Sequence, residues 1–193
     1  MSYKLKTNPS VEPVSLDEAK LHLRVDQSDE DSLITYLITA ARIHAEKYMN
    51  RSIITQTWER YLDCLPGLIN LKYGNVQSVT HVKYYDSNND LQTLDGANYD
   101  KDLISNPARI SRAFNVTYPE IYNRTNAVVV EFEAGFGDAA SDVPEAIKAA
   151  MMLTIGHLYE HRENVLVGHG STSLPKGAEY ILDPFRIFTY DNR

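Results

Sequence analysis

A chain of 193 residues with 43% hydrophobic content can bury a substantial core, as one domain or as one domain with an insertion. Its 26 acidic and 19 basic residues give a net charge of −7, which argues against a surface that grips nucleic-acid phosphates but not against one past which DNA slides. The single cysteine, Cys64, excludes an internal disulfide, and no apolar run predicts a signal peptide or a membrane span.

The N-terminal part of the chain contains a polar arm followed by two predicted helices. Residues 1–14 carry two prolines and no hydrophobic period, which predicts an extended arm. Ser15 and Glu18 have the spacing of a capping box, so a short helix should begin there. A second cap at Ser28, followed by an acidic first turn, predicts a long helix that ends near Met49 and has one apolar face.

The middle of the chain changes to the short, alternating pattern of β-strands. Several segments are rich in Val, Ile, Thr and Tyr and are separated by turn residues. They are residues 54–62, 68–72, 76–85, 91–94, 108–114 and 127–134. Val128, Val130 and Phe132 alternate with Val129 and two glutamates, which is typical of a half-buried strand. The pattern predicts a small antiparallel sheet inserted between helices.

Residues 144–163 form the longest predicted helix near the C-terminus, with apolar residues at three- and four-residue steps. Its partner of comparable length is the periodic stretch near the N-terminus, so the two should pack together. We therefore predict an α+β protein that is mainly an α-helical bundle, formed by residues 15–51 with 143–164. Residues 52–138 would be the inserted small antiparallel β-sheet region, and residues 165–193 an extended C-terminal loop and tail.

One motif in this helix is typical of zinc hydrolases. His157, Glu160 and His161 match the pattern H-x-x-E-H, in which two histidines one helical turn apart bind zinc and the glutamate activates water. No carboxylate downstream offers a convincing third ligand, and the motif lies at a helix end, where such residues are ordinary. A structural role is favoured, and a zinc-dependent hydrolase is kept as an alternative function.

Other motifs are also better explained by structure than by chemistry. Gly135 and Gly137 lack the third glycine and the lysine of a phosphate-binding loop, so a tight turn is favoured. The acidic run at residues 26–31 lacks the glycine and the closing glutamate of a calcium loop. Cys64 has no neighbouring histidine or basic residue in sequence and is expected to be a small core residue. We expect no catalytic residue, no metal and no cofactor.

The C-terminal segment is apolar where chain ends are usually polar. Its candidate contact residues are Leu174, Pro175, Ile181, Leu182, Phe185, Arg186, Ile187, Phe188 and Tyr190. They form a strip behind a glycine-containing loop. Two explanations stay open: the strip folds back on its own core, or it orders against another subunit or partner.

A series of motifs follows in a fixed order along nearly the whole chain. They are PVSLDEAK at 13–20, LHLRV at 21–25, RSIITQTW at 51–58, AGFG at 134–137, LYEHRE at 158–163 and LDPFR at 182–186. In this order they resemble the head–tail connector (adaptor) proteins of long-tailed bacteriophages and gene-transfer particles. The chain departs from the family at Tyr118 and Pro119, where a Trp–Pro pair is usual, and follows it only loosely over residues 92–121.

The resemblance implies a structural virion assembly protein without catalysis. Members of this family form a homo-oligomeric ring beneath the portal protein, extend the DNA channel and present a platform to the next head-completion (stopper) protein. Their C-terminal tails reach toward the portal, so the apolar strip would be the portal contact. DNA would pass through the channel without sequence-specific binding, and no membrane would be involved.

The resemblance also implies a location. The protein would lie at the capsid–tail junction of the virion, after assembly in the host bacterial cytoplasm. A monomeric cytoplasmic binding module remains the second alternative function, beside the zinc hydrolase.

Overall fold

The structure, a computed structural model, describes residues 2–161 and 176–188. These residues divide into two compact units, a sheet unit and a helical unit. Among the helices that the structure describes, none combines the length and the apolar character that crossing a membrane requires.

The sheet unit contains residues 2–9 and Thr55–Phe136 and is built from two antiparallel sheets. Its strands are β1 (Ser2–Thr7), β2 (Gln56–Leu62), β3 (Leu68–Leu71), β4 (Val76–Tyr85), β5 (Leu91–Thr93), β6 (Tyr99–Asp102), β7 (Ala108–Arg112) and β8 (Val128–Ala134). The larger sheet has the order β1-β2-β8-β4-β5, and the smaller has the order β3-β7-β6.

One hydrophobic core lies between the two sheets of this unit. Val130 and Phe132 on β8 are buried in it, together with Ile69 on β3 and Ile110 on β7. The next residue on β8, Glu131, belongs to the opposite face of the larger sheet. The alternation predicted for this strand is therefore confirmed.

The helical unit contains Ser10–Ile54 and the described part of Gly137–Phe188. Its helices are α1 (Leu16–Leu23), α2 (Asp31–Met49), α3 (Glu145–Glu160) and α4 (Lys176–Leu182). Near the end of α3, the hydroxyl of Tyr159 donates a hydrogen bond to the carboxylate of Glu30, which precedes α2. Since the end of α3 lies beside the start of α2, the two helices run antiparallel.

Local chemistry explains where these helices begin and end. Ser15 caps α1 as predicted, because its hydroxyl accepts a hydrogen bond from the Glu18 N–H at 3.2 Å. The Glu18 carboxylate in turn accepts one from the Ser15 N–H at 2.7 Å. Asn50, in the left-handed conformation with φ of 54°, ends α2 where the sequence predicted. The helix α3 ends at Glu160, earlier than the predicted position 163.

Two local predictions are wrong. The cap of α2 is Glu30 rather than Ser28, and no side chain bonds to the free N–H groups there. Instead, the carboxylate of Asp31 accepts a hydrogen bond from Lys20 on α1 at 2.6 Å, so an ion pair fixes the start of the helix. Cys64 is exposed rather than in the core, because the connection between β2 and β3 holds it at the surface.

The predicted mainly α-helical bundle is also wrong. The described residues form two antiparallel sheets and four α-helices, so the fold is α+β without a dominant helical part. Two strands had not been predicted: β1, which pairs along β2, and β6, which pairs with β7. In β1, Tyr3 and Leu5 alternate with Lys4 and Lys6 over only a few residues, and β6 has no alternation. Both strands pair with partners to which the chain returns only later.

Candidate functional site

The C-terminal segment, residues 176–188, contains the site that the sequence singled out. It consists of α4, a 3-10 turn at Asp183–Phe185 and a short extended stretch. Three of the predicted contact residues, Leu174, Pro175 and Tyr190, lie outside the residues that the structure describes. The others lie within the segment and differ in exposure.

Apolar side chains anchor the segment to its own helical unit. Ala178 and Leu182 are four residues apart on one face of α4, and both are buried. Ile187, beyond the 3-10 turn, is buried as well. The helix α4 packs against α3 and also contacts α2. Leu182 and Ile187, two of the predicted contact residues, therefore lie in the core of this chain.

Hydrogen bonds fix the extended stretch to the C-terminal end of α2. The Ile187 N–H donates to the Met49 carbonyl at 2.8 Å, which pairs one of the carbonyl groups that a helix end leaves free. The side-chain amide of Asn50 donates to the Ile187 carbonyl at 2.9 Å. The guanidinium of Arg51 donates to the Phe185 carbonyl. Three successive residues at the end of α2 thus hold the segment by its backbone.

Tyr48 adds a side-chain contact one residue earlier. Its hydroxyl donates a hydrogen bond of 2.6 Å to Asp183, and the carboxylate raises the pKa of Tyr48 because it stabilises the protonated phenol. The Arg186 guanidinium lies 5.0 Å from the centre of the Tyr48 ring and 5.0 Å from the centre of the Phe188 ring. Arg186 is therefore held by two cation–π contacts.

The described residues of the segment differ in what they offer to a partner. Phe188 is 65% exposed and Arg186 is exposed, whereas Ile181 and Phe185 are half-buried. Tyr180 is 80% exposed and was missed by the sequence interpretation. Tyr180 is two residues from both Ala178 and Leu182, which places it on the opposite face of the helix. This spacing could have predicted its exposure. Aromatic and arginine side chains are common anchors of protein interfaces.

The zinc motif has no third ligand grouped with it among the described residues. The His157 and His161 rings lie edge to face, with 4.7 Å between their centres. Across residues 2–161 and 176–188, no three His, Cys, Asp or Glu side chains are grouped as metal ligands. These observations give the zinc hydrolase no support.

A charged cluster lies on the face of the larger sheet opposite the hydrophobic core. The Lys6 ammonium forms an ion pair with Glu131 and lies 4.0 Å from the Glu59 carboxylate. His81 Nε2 is 3.5 Å from the Glu131 carboxylate. Burial lowers the pKa of His81, although Glu131 opposes this effect. Acidic and basic side chains pair within the cluster, which is the pattern of a structural network.

Comparison with known families gives the site a context. A family model described as phage gp6-like head-tail connector protein matches residues 13–90, which include α1, α2 and the strands β2 to β4. This part of the chain is therefore similar to head–tail connector proteins.

Solved structures share the fold of the chain over its whole length. A chain in the virion of a native gene transfer agent particle has a TM-score of 0.81 and 20% sequence identity, covering 100% of the present chain and 99% of that chain. Chains in the neck of the empty particle, computed with C6 symmetry, and of the native particle, computed with C12 symmetry, have TM-scores of 0.77 and 0.78 at 20% identity. Their coverage is the same, 100% of the present chain and 99% of each neck chain. No curated protein sequence matches the chain.

Proposed function

We propose that the protein is a structural head–tail connector that joins a phage head to its tail. It would form a homo-oligomeric ring beneath the portal protein and extend the DNA channel of the filled head. The observation that carries the proposal is the whole-chain likeness to a chain in a particle neck that was computed with C12 symmetry. The family match over residues 13–90 supports it independently, from sequence. The same ring would present its far side to the next head-completion (stopper) protein.

The net charge suits a protein through whose ring DNA must move. With a net charge of −7, the connector repels phosphates on average. Clustered lysines and arginines would instead hold the DNA by counterion release. DNA would therefore pass through the channel without sequence-specific binding. The protein would reside at the capsid–tail junction, after a stage in the host cytoplasm during assembly.

The C-terminal segment is the proposed portal contact. The buried side chains of Leu182 and Ile187 anchor the segment in the core. Arg186 and Phe188 are exposed, and Phe185 is half-buried. A rigid, preformed surface of this kind loses little conformational entropy when it binds. The remaining candidates, Leu174, Pro175, Ile181 and Tyr190, also stay in the proposal.

Surface substitutions test the portal contact better than deletion of the whole segment, which would also strip buried side chains from the core. In Arg186→Ala/Phe188→Ala, we expect binding to purified heads that carry the cognate portal to fall roughly tenfold or more, as for interface anchors. The matched control is Lys176→Ala/Glu179→Ala, on the same segment. Co-sedimentation with the heads measures binding, and negative-stain microscopy shows the rings.

The outcomes separate the parts of the proposal. Equal binding by both double variants would reject the C-terminal segment as the portal contact. Wild-type protein that forms no ring on portal-bearing heads would reject the ring and favour the monomeric cytoplasmic module. A ring at the neck in cryo-EM maps of mature virions, with density for this chain, is the expected result.

A further inference from the structure

An apolar stripe lies on the exposed side of α2. The exposed residues on this side recur at steps of three and four, as one helix face does. They are Ser32, Tyr36, Ala40, Ile43 and Lys47, which we call the α2 stripe. Tyr36 is 73% exposed and Ile43 is 40% exposed. The opposite side of α2 holds the buried Ile34, Ile38 and Ala41.

A second stripe lies on the outer side of α3. It contains Glu145, Ala149, Leu153, His157 and Glu160, which we call the α3 stripe. Leu153 is 41% exposed, and the core side of the helix carries Ile147, Ala150 and Met151. Because α2 and α3 pack on each other through their buried sides, the two stripes point to opposite sides of the helical unit.

We propose that the α2 stripe of one copy packs against the α3 stripe of the next copy and forms the repeating contact of the ring. The inference rests on the proposed ring. A ring closes through heterologous contacts, which need two different surfaces on opposite sides of each subunit. The helical unit offers two such surfaces. An isologous contact between two antiparallel α3 stripes would place Glu145 against Glu160, and the two carboxylates would repel each other.

The two stripes match in register when the helices meet antiparallel. The proposal places the ring axis along the helices. A rotation about such an axis preserves the helix directions, so α2 of one copy and α3 of the next meet antiparallel, as within one copy. Both helices rise by about 1.5 Å per residue, so pairing one residue of α2 with one residue of α3 determines all the other pairs along the contact. The resulting pairs are Lys47 with Glu145, Ile43 with Ala149, Ala40 with Leu153, Tyr36 with His157 and Ser32 with Glu160.

These pairs are complementary in size and charge. Ile43 and Leu153 each face an alanine of the other helix, which lets the helices interlock. The Lys47 ammonium faces the Glu145 carboxylate, and the C-terminal end of α2 faces the N-terminal end of α3, an arrangement that the helix dipoles favour. At the other end, the Ser32 hydroxyl can donate a hydrogen bond to Glu160.

Disulfide cross-linking tests the contact directly in the full chain. In a Cys64→Ser background, Ile43→Cys/Ala149→Cys copies are assembled on purified portal-bearing heads and then oxidised. We expect a ladder of covalent multimers on a non-reducing gel, because each copy links to both neighbours. Ile43→Cys alone and Ala149→Cys alone should give no ladder. The control pair, Ile43→Cys/Leu21→Cys, places the second thiol on α1 and should also give none.

The outcomes distinguish this contact from the ring itself. Rings visible by microscopy without a ladder would overturn the α2–α3 contact and leave the ring in place. A covalent dimer from Ile43→Cys alone would show an isologous contact and overturn the heterologous one. Neither rings nor ladder would overturn both the contact and the proposed function.

Charge reversal gives a second, independent measurement. Lys47→Glu places two glutamates opposite each other across the contact, and Glu145→Lys places two lysines opposite each other. In either variant alone, we expect fewer heads to carry a ring. The double variant restores opposite charges and should recover the ring. If the double variant is as defective as the single variants, Lys47 and Glu145 do not face each other and the proposed register is wrong.

Discussion

The hydroxyl of Tyr48, on α2, donates a 2.6 Å hydrogen bond to the carboxylate of Asp183, which lies 135 positions later in the chain. Asn50 and Arg51 bind the backbone of the same segment. The helix that carries the proposed ring contact on one side thus holds the proposed portal contact at its end. Any tilt of α2 on ring formation would therefore move Arg186 and its neighbours together with it.

Loss of the Tyr48 hydroxyl should loosen the C-terminal segment without unfolding the helices. In Tyr48→Phe the ring under Arg186 remains, but Asp183 loses its hydrogen bond. We expect faster amide hydrogen exchange in residues 176–188 and unchanged exchange in α3. Tyr36→Phe is the control on the same helix, because the Tyr36 ring is largely exposed. Equal exchange in the two variants would show that the bond does not hold the segment.

Leu182 should contribute to the stability of the helical unit as a core residue does. Leu182→Ala removes a fully buried side chain and should lower the free energy of unfolding by about 2–5 kcal/mol. Tyr180→Ala, on the exposed side of the same helix, should change it by less than about 0.5 kcal/mol. Urea denaturation followed by circular dichroism measures both. Similar effects would mean that α4 does not pack on its own unit in solution.

Local sequence signals predicted much of this fold because their partners lie close in the chain. Ser15 and Glu18 are three residues apart and satisfy each other, so the start of α1 could be read directly. The strand β4 was predicted with its observed bounds, Val76–Tyr85, from a run of strand-forming residues. Such elements need no information from distant parts of the chain.

Elements that depend on distant partners could not be predicted in the same way. The strand β1 reads as a polar arm, and only β2, more than forty residues later, makes it a strand. The C-terminal strip was recognised as apolar, but its sequence does not show which residues face its own core. The end of α2 decides this, because Met49 and Asn50 bind Ile187 and turn its side chain inward.

Substitution of Gly137 should destabilise the fold, because this residue packs closely against Asp142 before α3 begins. A Cβ atom at this position would lie 2.6 Å from the Asp142 Cβ and 2.5 Å from its Cγ. Rotation of the Asp142 side chain cannot relieve the clash, because the backbone fixes the position of its Cβ. Asp142 also accepts a hydrogen bond of 3.0 Å from the Ala139 N–H. We expect Gly137→Ala to lower the melting temperature. Gly177→Ala, where a Cβ meets no atom within 4 Å, is the matched control and should not lower it.

The charged cluster of the sheet unit makes its stability depend on pH through His81. This side chain contacts Glu131 on β8, with Lys83 on its own strand, Lys6 on β1 and Glu59 on β2 also acting on it. Burial outweighs the carboxylates and lowers the pKa of His81 in the folded protein. The unfolded chain therefore binds the His81 proton more tightly than the folded chain does, and folding is penalised once the pH is low enough for protonation.

Replacement of His81 should flatten this acid loss of stability. In the wild type, the free energy of unfolding should fall as the pH drops below the ordinary histidine value of about 6.5 toward the lower folded pKa. His81→Gln has no proton to gain, so its curve should fall less between about pH 7 and pH 5. His22→Gln, at an exposed position, should follow the wild type. Urea denaturation at a series of pH values measures how the free energy of unfolding of each protein changes with pH. If this change is the same in His81→Gln as in the wild type, burial does not lower the pKa of His81.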